Sequence, residues 1–216
     1  MTRIGIVDYG VGNLFSLRSS LAAIGVEPVV SGDPAVLAAC ERIILPGVGA
    51  FGDAADKLRE GGLDQFLIAQ AKAGKPLMGI CLGMQLLFEK SYEFGEHRGL
   101  GLLRGSVVPM VDRIPAGAKV PQIGWNALTL IGDRSEGILK HIKNGDCVYF
   151  VHSFFATDCE DSLAATTNYY IDMTAAVSFG NVSGCQFHPE KSGEVGLRIL
   201  RAFCGVDEPK TGGTIA

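Results

Sequence analysis

The sequence predicts an α/β protein: a central, mostly parallel sheet flanked by helices, with additional antiparallel strands in the C-terminal half. Three observations carry this expectation. Short β-branched runs alternate with longer helical patterns, the signature of a doubly wound sheet. The 29 glycines and 47% hydrophobic content suit a sheet with many tight turns. A chain of 216 residues favours one well-buried core over two small domains.

The elements follow in order. Ile4-Gly5-Ile6-Val7 is a buried strand candidate, and Asp8 to Asn13 is a glycine-rich turn into a helix over Leu14 to Ile24. Pro28-Val29-Val30 is a second strand, Pro34 to Ala39 a short helix, and Arg42 to Leu45 a third strand that Pro46 is expected to end. Asp53 to Arg59 and Leu63 to Ala73 read as helices, the second closed by Gly74. Pro76 to Ile80 is the strand that runs into Cys81, followed by an expected helix over Met84 to Phe88. Beyond it the texture changes to short strands separated by turns: 107–111, 125–130, 147–152, 163–167, 175–179 and 182–187, a pattern more antiparallel than the first half. A last helix is expected over Glu194 to Phe203. The domain is placed at 1–205, with 206–216 as a frayed, glycine-rich tail.

Composition excludes several function classes. The net charge is -4 with lysine and arginine scattered, so there is no basic stripe of the kind nucleic acid requires. No stretch reaches the ~18 apolar residues of a membrane span, and Met1-Thr2-Arg3 leads directly into a strand rather than a secretory leader. The six cysteines form no CxxC pair and no regular spacing, which suggests neither a metal site nor a disulfide framework. A reducing cytoplasm is the expected compartment.

The chemistry centres on Cys81. Gly79-Ile80-Cys81-Leu82-Gly83 behind an apolar strand is the strand-turn-helix elbow that presents a nucleophile at the edge of a sheet. A lone intracellular cysteine is more commonly a packed apolar residue; the glycine-flanked elbow reverses that preference. A helix beginning after Cys81 and a nearby imidazolium would both favour the thiolate. His188, in Phe187-His188-Pro189-Glu190, is the candidate imidazolium and base. In an extended segment His188 and Glu190 project to the same side, so the carboxylate can hold the ring's tautomer. His97, His141 and His152 have no carboxylate at a useful spacing and are assigned no such role. Attack on a carbonyl also needs two N–H donors for the oxyanion. Leu82 is the first candidate, and Gly49, in Pro46-Gly47-Val48-Gly49, the second.

Pro46-Gly47-Val48-Gly49, then Gly79-Ile80-Cys81-Leu82-Gly83-Met84-Gln85, then His188-Pro189-Glu190, in that order, resemble the class I (triad) glutamine amidotransferases. Three more stretches, Asp8-Tyr9-Gly10-Val11-Gly12-Asn13, Pro121-Gln122-Ile123-Gly124-Trp125-Asn126 and Tyr149-Phe150-Val151-His152-Ser153, resemble the glutaminase subunits of imidazole glycerol phosphate synthases within that class. The resemblance implies a flavodoxin-like single domain, no cofactor, and L-glutamine as substrate. It implies that Cys81 attacks the glutamine amide, that His188 protonates the departing ammonia and then activates water, and that Glu190 orients His188. Gln85 and Glu93 would hold polar groups of the glutamine, with Gly47 and the Ser153-Phe154 backbone completing the pocket. A solvated surface charge is an equal reading for Glu93.

The resemblance further implies a partner, a separate cyclase βα barrel forming a heterodimer and receiving the ammonia. Tyr9, Asn13, Gln122, Trp125 and Lys191 match positions of that docking face, although a core aromatic is an equal reading for Trp125. Glutaminases serving anthranilate or aminodeoxychorismate synthases, and γ-glutamyl hydrolases, use the same elbow and are the competing readings.

Overall fold

The computed structural model describes residues 2–132 and 136–206. In chain order the first half contains β1 (Arg3–Val7), α1 (Leu14–Ala23), β2 (Glu27–Ser31), α2 (Pro34–Ala38), β3 (Arg42–Gly47), α3 (Phe51–Glu60), α4 (Leu63–Lys72), β4 (Leu77–Cys81) and α5 (Leu82–Gln85). The second half contains β5 (Phe88–Ser91), β6 (His97–Arg98), β7 (Leu103–Pro109), β8 (Gln122–Leu130), β9 (Cys147–His152), β10 (Phe154–Thr157), β11 (Leu163–Tyr169), β12 (Ile171–Phe179), β13 (Val182–Cys185) and α6 (Gly193–Cys204).

A nine-stranded sheet runs β2-β1-β3-β4-β13-β12-β11-β8-β9. Its first five strands are parallel and the remainder pair antiparallel. Alternation along the buried strands divides the core. Ile4, Ile6 and Ile44 face α1 and α6, where they meet Leu17, Leu21, Ile199 and Phe203. Ile43 and Leu45 face α2, α3 and α4, among Leu37, Phe51, Leu58 and Leu67. Apolar side chains on both faces are what a parallel strand covered by helices requires. Local signals place the helix starts: Asp33 accepts the Ala35 N–H at 2.8 Å, with Pro34 in the first turn of α2.

The structure departs from the sequence expectation at several points. β3 continues through Pro46 to Gly47, because a proline at the end of a strand still fits extended backbone. The elbow helix is a single turn over Leu82–Gln85, and Phe88 already begins β5. The expected strand at 107–111 is instead β7, which ends at Pro109, with Met110–Asp112 forming a 3-10 turn. β5, β6 and β10, which have no counterpart in the sequence expectation, join β7 in a second sheet of order β10-β7-β5-β6. They are two to four residues long, too short to show a period. Of the expected tail, Val206 is tied down by its N–H to the Arg201 carbonyl at 3.0 Å; residues 207–216 lie outside the described residues.

The sheet brings three loops to one edge. β3, β4 and β13 are adjacent and parallel, with Gly47 in register with Cys81. Their C-terminal ends therefore deliver the Gly47 to Gly49 loop, Cys81 and the segment leading to His188 to the same rim. This is where open α/β sheets bind ligands.

Candidate active site

Cys81 has φ 55 and ψ −115, a positive φ that a side-chain-bearing residue adopts only when its surroundings impose it. The glycines impose it by permitting close approach. A Cβ on Gly83 would lie 1.8 Å from the Leu45 carbonyl oxygen, and one on Gly79 would lie 2.5 Å from the Gly83 oxygen. Only hydrogen fits at either place, so the chain can turn from β4 into α5 without clearance. The turn leaves Cys81 at a cleft of about 420 Å³ lined by Val48, Gly49, Leu82, Gln85, Glu93, Phe94, Ser153, Phe154 and His188, among others. That volume is in the range of small-molecule sites.

His188 lies beyond β13, its N–H donating to the Tyr149 carbonyl at 2.9 Å. Ser192 locks the segment: its hydroxyl donates to the His188 carbonyl at 2.6 Å and accepts the Tyr149 N–H at 3.0 Å. Pro189–Lys191 forms a 3-10 turn, not the extended run expected from sequence. The turn, rather than strand alternation, brings Glu190 back so that its Oε1 accepts from His188 Nδ1 at 2.8 Å. Both side chains are about 3% exposed. Burial alone would lower the His188 pKa, but hydrogen bonds to Cys81 and Glu190, together with their charges, outweigh it and raise the pKa to about 9. A protonated His188 beside Cys81 is the arrangement that favours a thiolate. The helix contribution expected from sequence is small, since α5 spans only four residues.

The remaining predicted residues separate into three groups. Leu82 and Gly49 both line the cleft beside Cys81; Leu82 opens α5, where N–H groups lack intrahelical acceptors, and Gly49 has φ +96. Gln85 is buried, and its amide donates to the Phe154 carbonyl at 3.0 Å and to Gln186 Oε1 at 2.9 Å. Glu93 is half-buried at the cleft and accepts the Phe51 N–H at 2.6 Å, capping α3 from a distant loop. That contact removes the solvated-charge reading. Burial pushes the Glu93 carboxyl up, and the Phe51 hydrogen bond opposes it. Gly47 faces the elbow instead of the cleft: a Cβ there would meet the Gly83 nitrogen and the Tyr9 hydroxyl at 2.8 Å.

The predicted docking residues do not all reach the surface. Tyr9 is 8% exposed and donates its hydroxyl to the Pro46 carbonyl at 2.8 Å. Gln122 is 0% exposed. Neither side chain is available to a partner in this conformation. The reason at Gln122 is strand alternation: Gln122 points inward from β8 while Ile123 and Trp125 point outward. Trp125 is 55% exposed, which rules out the core reading, and it packs edge-on against Tyr149. The exposed Lys191 places its ammonium 5.8 Å from the same Tyr149 ring. Asn13, half-buried, caps α1 and borders a small cavity shared with Glu190.

Two residues of the site had no sequence signal. Gln186 donates to Cys81 Sγ at 3.7 Å. His152, buried at the cleft wall, has Nδ1 at 2.8 Å from the Phe154 carbonyl. Neither has a charged neighbour in sequence, and only the pairing of β9, β10 and β13 with their neighbours brings them to the nucleophile.

Among known proteins, the model of the class I glutamine amidotransferase family matches residues 5–205. The imidazole glycerol phosphate synthase subunit HisH of Wolinella succinogenes is 46% identical over 205 residues, covering 94% of this chain and 99% of that protein. The subunit HisH of Bacillus licheniformis is 49% identical over 203 residues, with 93% and 94% covered. Among solved structures, PurLQS from Thermotoga maritima superposes with a TM-score of 0.73 at 24% identity, covering 94% of this chain and 98% of that one, a likeness of fold. The family match over residues 5–205 and relatives 46% and 49% identical over nearly the whole chain place it in the class I glutamine amidotransferases, in the family of imidazole glycerol phosphate synthase HisH subunits.

Proposed function

We propose that this chain is the glutaminase subunit of an imidazole glycerol phosphate synthase, hydrolysing L-glutamine to glutamate and ammonia through a thioester on Cys81. The observation that carries the reading is the strained elbow at Cys81 beside His188, whose Nδ1 is held by the buried Glu190 carboxylate and whose pKa its partners raise. The Cys81 thiolate attacks the side-chain amide carbon, and the developing oxyanion takes the Leu82 and Gly49 N–H groups. His188 gives its proton to the departing ammonia, leaving the glutamyl thioester and a neutral imidazole. That imidazole then removes a proton from water as it attacks the thioester, releasing glutamate and restoring the thiolate. Glu190 keeps Nδ1 protonated throughout, so that Nε2 is the nitrogen that exchanges protons.

The ammonia passes to a separate cyclase barrel in a heterodimer. This partner makes imidazole glycerol phosphate and aminoimidazole carboxamide ribotide from a ribulosyl precursor, in histidine biosynthesis. The HisH relatives, each a synthase subunit by name, support this, as do the outward-facing Ile123, Trp125 and Phe15. A cytoplasmic location fits six unpaired cysteines. Among the described residues no helix is long and apolar enough to cross a membrane.

Glutamate release by the purified chain, alone and with the cyclase and its ribulosyl substrate, tests the proposal. Hydrolysis that the partner stimulates and that Cys81→Ala abolishes is the expected outcome. Partner-independent cleavage of γ-glutamyl peptides in preference to glutamine would overturn it.

A further inference from the structure

His152 is the one buried histidine outside the triad that lines the cleft, and its two nitrogens have different demands. Nδ1 lies 2.8 Å from the Phe154 carbonyl, which can only accept, so Nδ1 carries a hydrogen. Burial holds the ring pKa down at about 4, so the ring is neutral at physiological pH and Nε2 is a bare acceptor. Nε2 lies 2.9 Å from Gln122 Oε1, so a bare Nε2 requires this amide turned over, with its NH₂ toward the ring. Gln122 Nε2 is 2.9 Å from Asn126 Oδ1, and turning Gln122 over requires Asn126 to turn as well. With both amides turned, Asn126 donates to Gln122, Gln122 to His152, and His152 to the Phe154 carbonyl.

The end of the row is a cleft wall. The Phe154 carbonyl also accepts from Gln85, so both its lone pairs are used. Opposite Phe154 in the β7–β10 ladder stands Pro109, which has no N–H to offer. The side chains of His152 and Gln85 thus hold the Phe154 carbonyl where the ladder cannot, and Gln85 continues through Gln186 to Cys81.

We infer that His152, donating from Nδ1, is a positioning residue for substrate: with Gln85 it fixes the Phe154 carbonyl, and so the cleft-wall segment of Ser153 and Phe154 against which glutamine is held for attack by Cys81. The inference rests on the glutaminase reading for the identity of the substrate. The tautomer rests on the Phe154 contact at Nδ1 together with the burial that keeps the ring neutral.

The test uses the full chain, alone and with the cyclase. Long-range ¹H–¹⁵N spectra of histidine-labelled protein should show His152 protonated at Nδ1 only across neutral pH. An Nε2–H tautomer or an imidazolium at neutral pH would overturn the inference, and this readout needs no variant. The second measurement is the glutamine concentration that half-protects Cys81 from iodoacetamide. His152→Leu, which leaves the Phe154 carbonyl without its donor, should raise it by about tenfold. His152→Asn, which restores a donor near the Nδ1 position, should recover most of the loss. Equal protection in all three proteins would overturn the positioning role. Protection reports binding without turnover, so a chain that binds glutamine through His152 yet hydrolyses none would count against the glutaminase reading and not against this one.

Discussion

At the scale of single residues, the two buried histidines behave in opposite ways because their partners differ. His188 faces a thiol and a carboxylate and its pKa rises to about 9, whereas His152 has no carboxylate partner, and burial, with the nearby His188 charge, lowers its pKa to about 4. The consequences for stability have opposite signs. Between pH 4 and 6.5 the unfolded chain binds the proton that native His152 refuses, so stability rises with pH. Above 6.5 native His188 keeps a proton that the unfolded chain releases, so its contribution, full below 6.5, is lost as pH climbs through 9. Urea midpoints measured from pH 4 to 9 should show the low-pH slope flattened in His152→Leu and the high-pH slope flattened in His188→Ala. Glu190→Gln tests the orienter. It can keep a hydrogen bond but loses the charge that fixes Nδ1–H, and glutamine hydrolysis should fall by roughly 10² to 10⁴ with the fold intact. A loss below fivefold would remove Glu190 from the triad.

At the scale of elements, the elbow and the loop beside it fail for different reasons when a methyl is added. At Gly83 the added carbon would fall 1.8 Å from the Leu45 oxygen, which belongs to a central strand and has no room to move. Gly83→Ala should therefore cost about 3 kcal/mol of stability in urea unfolding. At Gly49 there is open space but φ is +96, so Gly49→Ala strains the backbone by about 1–2 kcal/mol. It should leave the fold in place while lowering kcat by roughly 10- to 10³-fold, if the Gly49 N–H serves the oxyanion. An unchanged kcat in Gly49→Ala would move the second donor to another residue. At the end of β3 the Tyr9 hydroxyl donates to the Pro46 carbonyl, a contact that neither segment alone suggests.

At the scale of the whole molecule, the parallel half of the sheet builds the chemistry and the antiparallel half builds a surface. β8 and β9 close the sheet and carry Ile123 and Trp125 outward, with Tyr149 bracing Trp125 and Lys191 beside it. A large exposed aromatic supported by its neighbours is the usual form of an interface anchor. Trp125→Ala should weaken cyclase binding by about 2 kcal/mol, near thirtyfold in Kd by calorimetry, without shifting the urea midpoint. If the midpoint moved and the affinity did not, the tryptophan would be structural.

The strand-turn-helix signal at Cys81, the His188–Glu190 spacing and the alternation of the first four strands were legible from residues alone, because each is local chemistry or a short-range period. The roles of Tyr9, Gln122, Gln186 and His152 were not, since each depends on a partner distant in sequence: Tyr9 on Pro46, Gln122 on His152, and Gln186 on Gln85 and Cys81. Glu93 was open between two readings until α3 was seen to present an uncapped N–H to it. Even the triad, whose members were evident, closes by a 3-10 turn at Pro189 instead of an extended strand. The candidate nucleophile, base and orienter are written in the chain because their identities and spacing are chemical requirements. Their geometry, and every neutral side chain that steadies them, belongs to the tertiary structure, because a neutral hydrogen-bonding group acquires a role only from what the fold sets against it.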